Sequence, residues 1–551
     1  MRGFLVIGLS LSVLAGAGMA WADPALESVL AAPSLRVDEQ ILDRSALMAV
    51  YGAGQFEPLW KDAARAGAVA KVLTEAGRHG LNPEDYHLQA IQKRLSVHDR
   101  AEQIVLDLLL TDGLMSYASD VRVGRVSPRQ VRGEQYVRPQ VLDPAQLVLN
   151  AAAAQDLPVF LAELPPHSKL YWGMVQALEK LRAMPDWPQI ADGRKLEPGD
   201  TSQRLLTLRQ RLAASGELGG AAEQGNVFDD KLVEAVKAWQ ERNGLEPDGV
   251  VGRASLAMLN IPRSVRVDQI VANMERMRWL PDSLGQRYVM VNVPGYSLVA
   301  VKDGTTDLTM KTIVGRPARP TPIFSDTIRF VEFNPDWSIP PTIVREDVIP
   351  NMIKDPDFLM RVKNARVYRN GEEVDPWSID WSRVRPRDYR FRAPPGPRNP
   401  LGTVKFLFPN RFDVYLHDTS EPEKFAEYER AFSSGCVRVS DPAGLANWLL
   451  ADKEGWSDEK RQSILDSRRQ TRLNMANPVP VWITYRTAWM DESGTPVFRP
   501  DIYGRDPDLA AAIRAASAQP RRLVVSMTRG NPGQPAVDPA SLEEEVPQAA
   551  P

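Results

Sequence analysis

The chain has one cysteine, Cys436, in 551 residues, and only five histidines. A single cysteine excludes an intramolecular disulfide and any zinc site built on several thiolates. There is little excess charge of either sign: the formal net charge is −3, without the basic surplus that nucleic-acid binding demands. Long apolar runs are also missing. Phe4 to Gly18 spans about 15 residues, short of the ~20 needed to cross a bilayer. It follows Arg2 and precedes the small-x-small sequence Ala20-Trp21-Ala22, so residues 1–22 read as an export signal cleaved before Asp23. An uncleaved anchor is the alternative. Lipid attachment through a processed N-terminal cysteine is excluded, since Cys436 stands alone, and no other membrane segment is expected. No metal or cofactor is called for. The hydrophobic fraction of 43% allows a sizeable core, and the length suits three or four domains.

What is present concentrates between Val414 and Val439. Cys436 shares this stretch with His417, the only histidine after His167. A thiol becomes a useful nucleophile when a neighbouring base or cation favours its thiolate, and His417 is the obvious base. Asp413-Val414-Tyr415-Leu416 reads as a strand leading up to His417. Ser433-Ser434-Gly435 reads as a tight turn, and Cys436-Val437-Arg438-Val439 as the strand after it. A nucleophile just past a glycine turn has backbone N–H groups beside it, here those of Cys436 and Gly435, suited to an oxyanion hole. The alternative is an inert thiol and a core histidine. The glycine turn, the strand ends and the absence of rival groups favour catalysis.

Elsewhere the periodicity divides the chain. Residues 23–190 read as a helical domain: Val69, Val72, Leu73 and Ala76 share a face, Gly77 and Gly80 end that helix, and Asn82-Pro83 starts another. His79, His87 and His98 are expected at the surface or in packing. Pro185 to Gly199 is a linker. Residues 195–262 form a compact unit with three helices, carrying Leu205, Leu208 and Leu212 on the first, Leu232, Val236 and Trp239 on the second, and Ala254 to Leu259 as the third. A helix from Val267 to Leu280 then leads into strand-rich sequence over 265–490. Within it, residues 341–395 read as helical and charged. Arginines 383, 385, 387, 390, 392 and 398 there face only Asp388, either as a solvated face or as binders of substrate carboxylates. Residues 491–518 close the chain and 519–551 read as a disordered tail.

Tyr415-Leu416-His417-Asp418-Thr419 followed by Ala431-Phe432-Ser433-Ser434-Gly435-Cys436-Val437-Arg438-Val439 resembles the L,D-transpeptidase (YkuD-type) signature, in its large YcbB-type branch. The common motif has histidine where this chain has Ser434, which leaves His417 as the sole base. Val314-Gly315, Asn334-Pro335-Asp336-Trp337 and Arg499-Pro500-Asp501-Ile502-Tyr503-Gly504 extend the likeness. Lys237-Ala238-Trp239-Gln240 with Asn243-Gly244-Leu245 and Asp248-Gly249-Val250-Val251-Gly252 resembles a peptidoglycan-binding domain.

The resemblance implies an α+β multidomain fold: a helical scaffold, a three-helix peptidoglycan-binding unit, and a mostly β sandwich catalytic domain with a helical capping insertion. It implies an exported, periplasmic enzyme acting on peptidoglycan stem peptides. Cys436 would be the acylated nucleophile, His417 the base and acid, and the Asp418 carbonyl the group that orients His417. Arg438, Ser434, Tyr415 and Trp337 would line the donor site, with Arg438 alternatively a structural ion-pair partner. The acceptor would be a second stem peptide, giving 3–3 cross-links; water or an envelope-lipoprotein lysine are the alternatives, as is a wall-binding protein with a dead site. Further partners would be other cell-wall synthesis enzymes.

Overall fold

The computed structural model describes residues 23–134, 137, 140–219, 225–491, 493–517, 519 and 523. The expected export signal lies outside the described residues, as does the tail apart from Gln519 and Leu523. Among the described residues no helix is long and apolar enough to cross a membrane.

The N-terminal region is helical because its apolar residues recur at helical spacing and its helices are capped. Asp62, Asp99, Asp143 and Asp156 each accept a backbone N–H at the start of a helix. The long helix α1 (Arg100–Val123) runs through the middle of this domain and is buried on nearly all sides. Its polar residues are satisfied internally: Asp107 accepts from the Tyr51 hydroxyl at 2.5 Å and the Trp60 N–H at 2.6 Å, and Asp112 pairs with His87 at 2.7 Å. His79 and His87 are buried, so both are packing residues; His98 is exposed. Helix α2 (Lys169–Ala183) ends the domain.

No helix lies between Ala183 and Arg204, in keeping with a linker. The next unit has helices α3 (Arg204–Ala214), α4 (Asp230–Arg242) and α5 (Arg253–Leu259). The leucines expected inward are buried, with Val236 and Trp239. The Gln240 side chain donates to Asp248 and the Val250 carbonyl and accepts the Gly249 N–H, so it holds the turn after α4. Helix α6 (Arg263–Arg278) follows and carries many charged residues, yet most of it is buried. It lies against α2 and against α7 (Asp506–Ser517), and three of its buried charges are paired, while Arg266 donates to Gln269 and the Met258 carbonyl. Glu275 binds Arg278 at 2.8 Å, and Arg276 reaches Glu134 at 2.9 Å and Asp506 at 2.6 Å. Pairing of this kind is what makes buried charge tolerable.

The region expected to be catalytic is a nine-stranded mixed sheet: β1 (Arg287–Asn292), β2 (Ser297–Lys302), β3 (Thr305–Gly315), β4 (Phe324–Phe333), β5 (Val404–Leu407), β6 (Leu416–His417), β7 (Ala431–Ser433), β8 (Val437–Val439) and β9 (Thr471–Thr484). The order is β7-β3-β8-β6-β5-β4-β9-β1-β2, and β2 also pairs with β3. One sheet therefore folds round on itself, so that the expected mostly β sandwich is made from a single continuous sheet. The long β3 makes this possible, because its first part pairs with β2 and its last part with β8 and β7. Asp303 and Gly304 both have positive φ, which makes the tight β2–β3 hairpin. The strand expected over Pro480–Tyr485 is the end of the 14-residue β9; a bulge between Asn474 and Val479 accommodates Pro478.

The capping insertion differs from expectation. Beside short helices it holds a four-stranded sheet built from Trp337–Ser338, Arg390–Ala393, Arg366–Arg369 and Glu372–Val374. The strand signal was hidden by charge: Val367 and Phe391 point inward while flanking arginines point out, a period of two. The insertion has its own core around Trp337, Val348, Met352, Leu359, Trp381 and Phe391.

Candidate active site

Cys436 and His417 come together because β6 and β8 are adjacent and parallel. Leu416 pairs with Val437 and His417 with Arg438. Directly paired residues share a face, so Leu416 and Val437 enter the core while His417 and Arg438 lie on the opposite face. The residues two positions earlier, Tyr415 and Cys436, fall on that same face. His417 is thus diagonal to Cys436, a spacing within reach of long or aromatic side chains. No hydrogen bond joins the two side chains among the described residues. The thiol instead faces the Asp413 carbonyl at 3.8 Å and Tyr415. Strand β6 begins at Leu416, later than expected, because Asp413 adopts a left-handed conformation that aims its carbonyl at the sulfur.

His417 is buried, and its Nδ1 meets the Asp418 carbonyl at 2.5 Å. A carbonyl only accepts, so Nδ1 carries the proton and Nε2 keeps its lone pair. The Asp418 carboxylate fixes that carbonyl in turn, accepting from the Thr403 N–H at 2.7 Å, the Thr403 hydroxyl at 2.8 Å and the Thr419 N–H at 2.7 Å. Burial, reinforced by Arg438, pushes the imidazole down to about 3, so it is neutral at physiological pH. Burial pushes the Cys436 thiol up, against hydrogen bonds from Tyr415 and the positive charges of Lys405 and Arg438 that pull it back.

The turn before Cys436 is braced from several sides. Gly435 has φ of +119°, which only glycine adopts without strain. The Thr321 hydroxyl donates to the Gly435 carbonyl at 2.8 Å and accepts the Gly315 N–H at 2.9 Å. The Tyr503 hydroxyl donates to the Gly315 carbonyl at 2.6 Å. At Gly315 a side chain would lie 2.3 Å from the Arg319 carbonyl, so glycine is needed there for close backbone approach. The expected second oxyanion donor is committed elsewhere: the Gly435 N–H donates to Ser433 Oγ at 3.1 Å, and Ser433 Oγ donates to the Cys436 carbonyl at 2.5 Å. The Cys436 N–H remains the candidate.

The expected donor-site residues separate. Tyr415 touches the thiol and receives a hydrogen bond from the Trp337 indole. Trp337 is buried in the core of the capping insertion, so it supports Tyr415 rather than forming an open wall. Arg438 takes its structural alternative, binding Glu421 at 2.8 Å and Thr419 at 3.2 Å. Ser434 is exposed and accepts from Arg319 at 3.1 Å. Arg319 also binds Asp347 at 2.6 Å and Glu346 at 2.7 Å, both on the capping insertion. Of the six clustered arginines, 383, 385 and 392 pair with Asp380, Asp388 and Asp336, and Arg398 donates to Asn364. Half of the clustered arginines are therefore offset by a carboxylate in space.

Thr321, Arg319 and Lys405 were not singled out by the sequence. Thr321 and Arg319 follow Val314-Gly315 in a proline-rich loop, and nothing local marks them. Lys405 is a lone charge in the apolar strand Val404-Lys405-Phe406-Leu407, which is a signal, though an ambiguous one.

Three family models match the chain: a scaffold domain over residues 45–178, the "Putative peptidoglycan binding domain" over 201–259, and the L,D-transpeptidase catalytic domain (YkuD) over 286–498. A curated Haemophilus influenzae protein named "Putative L,D-transpeptidase" is 36% identical over 239 residues, which cover 43% of this chain and 48% of that relative. The match thus spans about half the relative's length. Among solved structures, an L,D-transpeptidase fragment from Xylanimonas cellulosilytica aligns at 16% identity over 53% of this chain and 99% of its own, with a TM-score of 0.18. One from Stackebrandtia nassauensis aligns at 12% identity over 54% of this chain and 96% of its own, with a TM-score of 0.20. Superpositions this loose do not establish a shared fold. The catalytic-domain match falls on the sheet that carries Cys436 and His417 and the 201–259 match on the three-helix unit, so the chain carries a YkuD-type L,D-transpeptidase catalytic domain together with a peptidoglycan-binding domain.

Proposed function

We propose that the protein is a periplasmic peptidoglycan L,D-transpeptidase that forms 3–3 cross-links through an acyl-enzyme on Cys436. The observation that carries this reading is the shared face of β6 and β8, with the one thiol of the chain diagonal to a neutral histidine whose tautomer is fixed by the Asp418 carbonyl. The resting pair is a thiol and a neutral imidazole. Nε2 of His417 accepts the thiol proton as sulfur attacks the carbonyl carbon of the third residue of a tetrapeptide stem. The Cys436 N–H faces the developing oxyanion. On collapse the carbon–nitrogen bond breaks, His417 returns the proton to the amine, and D-Ala leaves. A side-chain amine of a second stem then attacks the thioester and restores the thiol. The unit at 201–259 would hold the enzyme on the wall.

Mass spectrometry of products from tetrapeptide muropeptides tests the proposal. The expected products are a cross-linked dimer and free D-Ala. Tripeptide alone would make the protein a carboxypeptidase, and unchanged substrate would make it a wall-binding protein.

A further inference from the structure

A half-buried thiol beside a neutral histidine poses an electrostatic problem. The negative charge that develops on sulfur needs a positive charge close by, and His417, pushed well below its ordinary value, does not supply one at rest. Arg438 faces the sulfur but is tied to Glu421. The remaining cation is Lys405. On β5 it pairs directly with His417 on one side and with Glu332 of β4 on the other, so it lies on the face that carries Cys436. Its ammonium sits 3.9 Å from the centre of the Tyr415 ring, and Tyr415 touches the thiol. Glu332 is buried and already bound by Arg472 at 2.7 Å and 2.9 Å, so its charge is shared between two cations. The other charged groups that act on Lys405 are Asp413 and Arg472.

We propose that Lys405 is a positioning residue for the reaction: its ammonium, held on the Tyr415 ring, provides the positive charge that stabilises the Cys436 thiolate. Lys405 keeps its proton throughout. The thiol proton goes to His417, so the base and the charge-stabilising group are separate residues on neighbouring strands. This division is the opposite of a thiolate–imidazolium pair, in which one histidine does both. Burial lowers the proton affinity of Lys405 and Glu332 raises it, so the same carboxylate that keeps the lysine charged also moderates its effect on sulfur.

The inference rests on Cys436 as the nucleophile, and its test does not need the cross-linking reaction. Because the chain has one thiol, iodoacetamide alkylation followed over a range of pH reads the ionisation of Cys436 alone. Lys405→Met should move the alkylation midpoint up by about one pH unit, slowing the reaction about tenfold near neutrality. Lys405→Arg, which keeps the charge, should restore most of the rate. Glu332→Gln should move the midpoint down, and it provides an independent arm should Lys405→Met unfold. A midpoint unchanged in both Lys405→Met and Glu332→Gln overturns the proposal, as does an equal upward shift in Lys405→Met and Lys405→Arg. Cross-linking by a native protein whose midpoint ignores Lys405 would sink this inference and leave the function standing; a shifted midpoint in a protein that forms no cross-links would do the reverse.

Discussion

Two buried histidines in this molecule have the same titration and different surroundings. Burial pushes both His79 and His417 down to about 3. His79 lies in the helical scaffold, stacked on Tyr171, with its Nδ1 3.1 Å from the Tyr171 hydroxyl and Arg278 behind that hydroxyl. Every neighbour there belongs to the joint between the scaffold and α6. His417 lies at a strand end, its Nδ1 spent on a backbone carbonyl and its Nε2 left with a lone pair on the face that carries a thiol. A displaced titration thus marks burial in both places, and only one of the two faces a thiol. The orientation of the free lone pair and the group beside it decide which.

The largest expected effect removes what makes the second site different. Cys436→Ala should lower cross-linking by at least about 10³-fold while the unfolding midpoint stays close to native, because little packing energy rests on a half-buried thiol. Product formation by this variant would erase the distinction between the two regions. Next, His417→Gln should cut kcat/KM by about 10²–10⁴-fold, whereas His79→Gln should leave it unchanged and cost about 1–3 kcal/mol of stability through a disturbed buried hydrogen bond. Steady-state kinetics and denaturant unfolding on the two variants make a direct contrast.

The pH dependence sharpens what the two histidines share. Each has a folded value of about 3 against an ordinary 6.5, so unfolding takes up protons anywhere between those limits. Their contribution to stability is full above 6.5 and is lost as the pH falls toward 3. Replacing His79 with Leu should therefore flatten the fall of the thermal midpoint over that window. The acid limb of kcat/KM should show no step near 6.5, since His417 is already neutral there; a step at that value would mean that the histidine is solvated in the working enzyme. The smallest effect concerns how fixed each environment is. His79 is locked between domains, but the nucleophile turn is tied to the capping insertion by Arg319, which bridges Ser434 to Glu346 and Asp347. Arg319→Ala should change kcat and KM together by about tenfold or less, as measured on muropeptide donors. Unchanged constants would show that the insertion does not couple to the turn.

How much of this was legible in the sequence depended on whether the signal was local. The peptidoglycan-binding unit was readable almost residue by residue, because Leu205, Leu208, Leu212, Leu232, Val236 and Trp239 lie on consecutive short helices whose spacing shows directly which way they face. That Cys436 and His417 would meet was readable for a different reason: each is alone of its kind in that half of the chain. The closure of the sheet by β2 and β3 was not, since a strand of β residues does not announce two partners on the same edge. Lys405 and Thr321 were missed because the placement of Lys405 beside His417 comes from strand register and that of Thr321 from a contact more than 100 residues away, at Gly435. The strands of the capping insertion were missed because alternating arginines resemble a solvated helix face when they are counted rather than aligned. The Gly435 donor was misread since the competing acceptor, Ser433 Oγ, is two residues away and free to rotate onto it.

The brace that runs from Tyr503 through Gly315 and Thr321 to Gly435 has a consequence for how the protein comes into being. The chain is made from its N-terminus, so both reactive residues emerge well before the segment that props them. A polypeptide halted between Ser440 and Arg499 would already contain the thiol and the imidazole, yet its nucleophile turn would lack Tyr503, and its α6 would lack the Asp506 partner of Arg276. A chain trimmed ahead of Tyr503 would keep both side chains and lose the hydroxyl that props the turn between them.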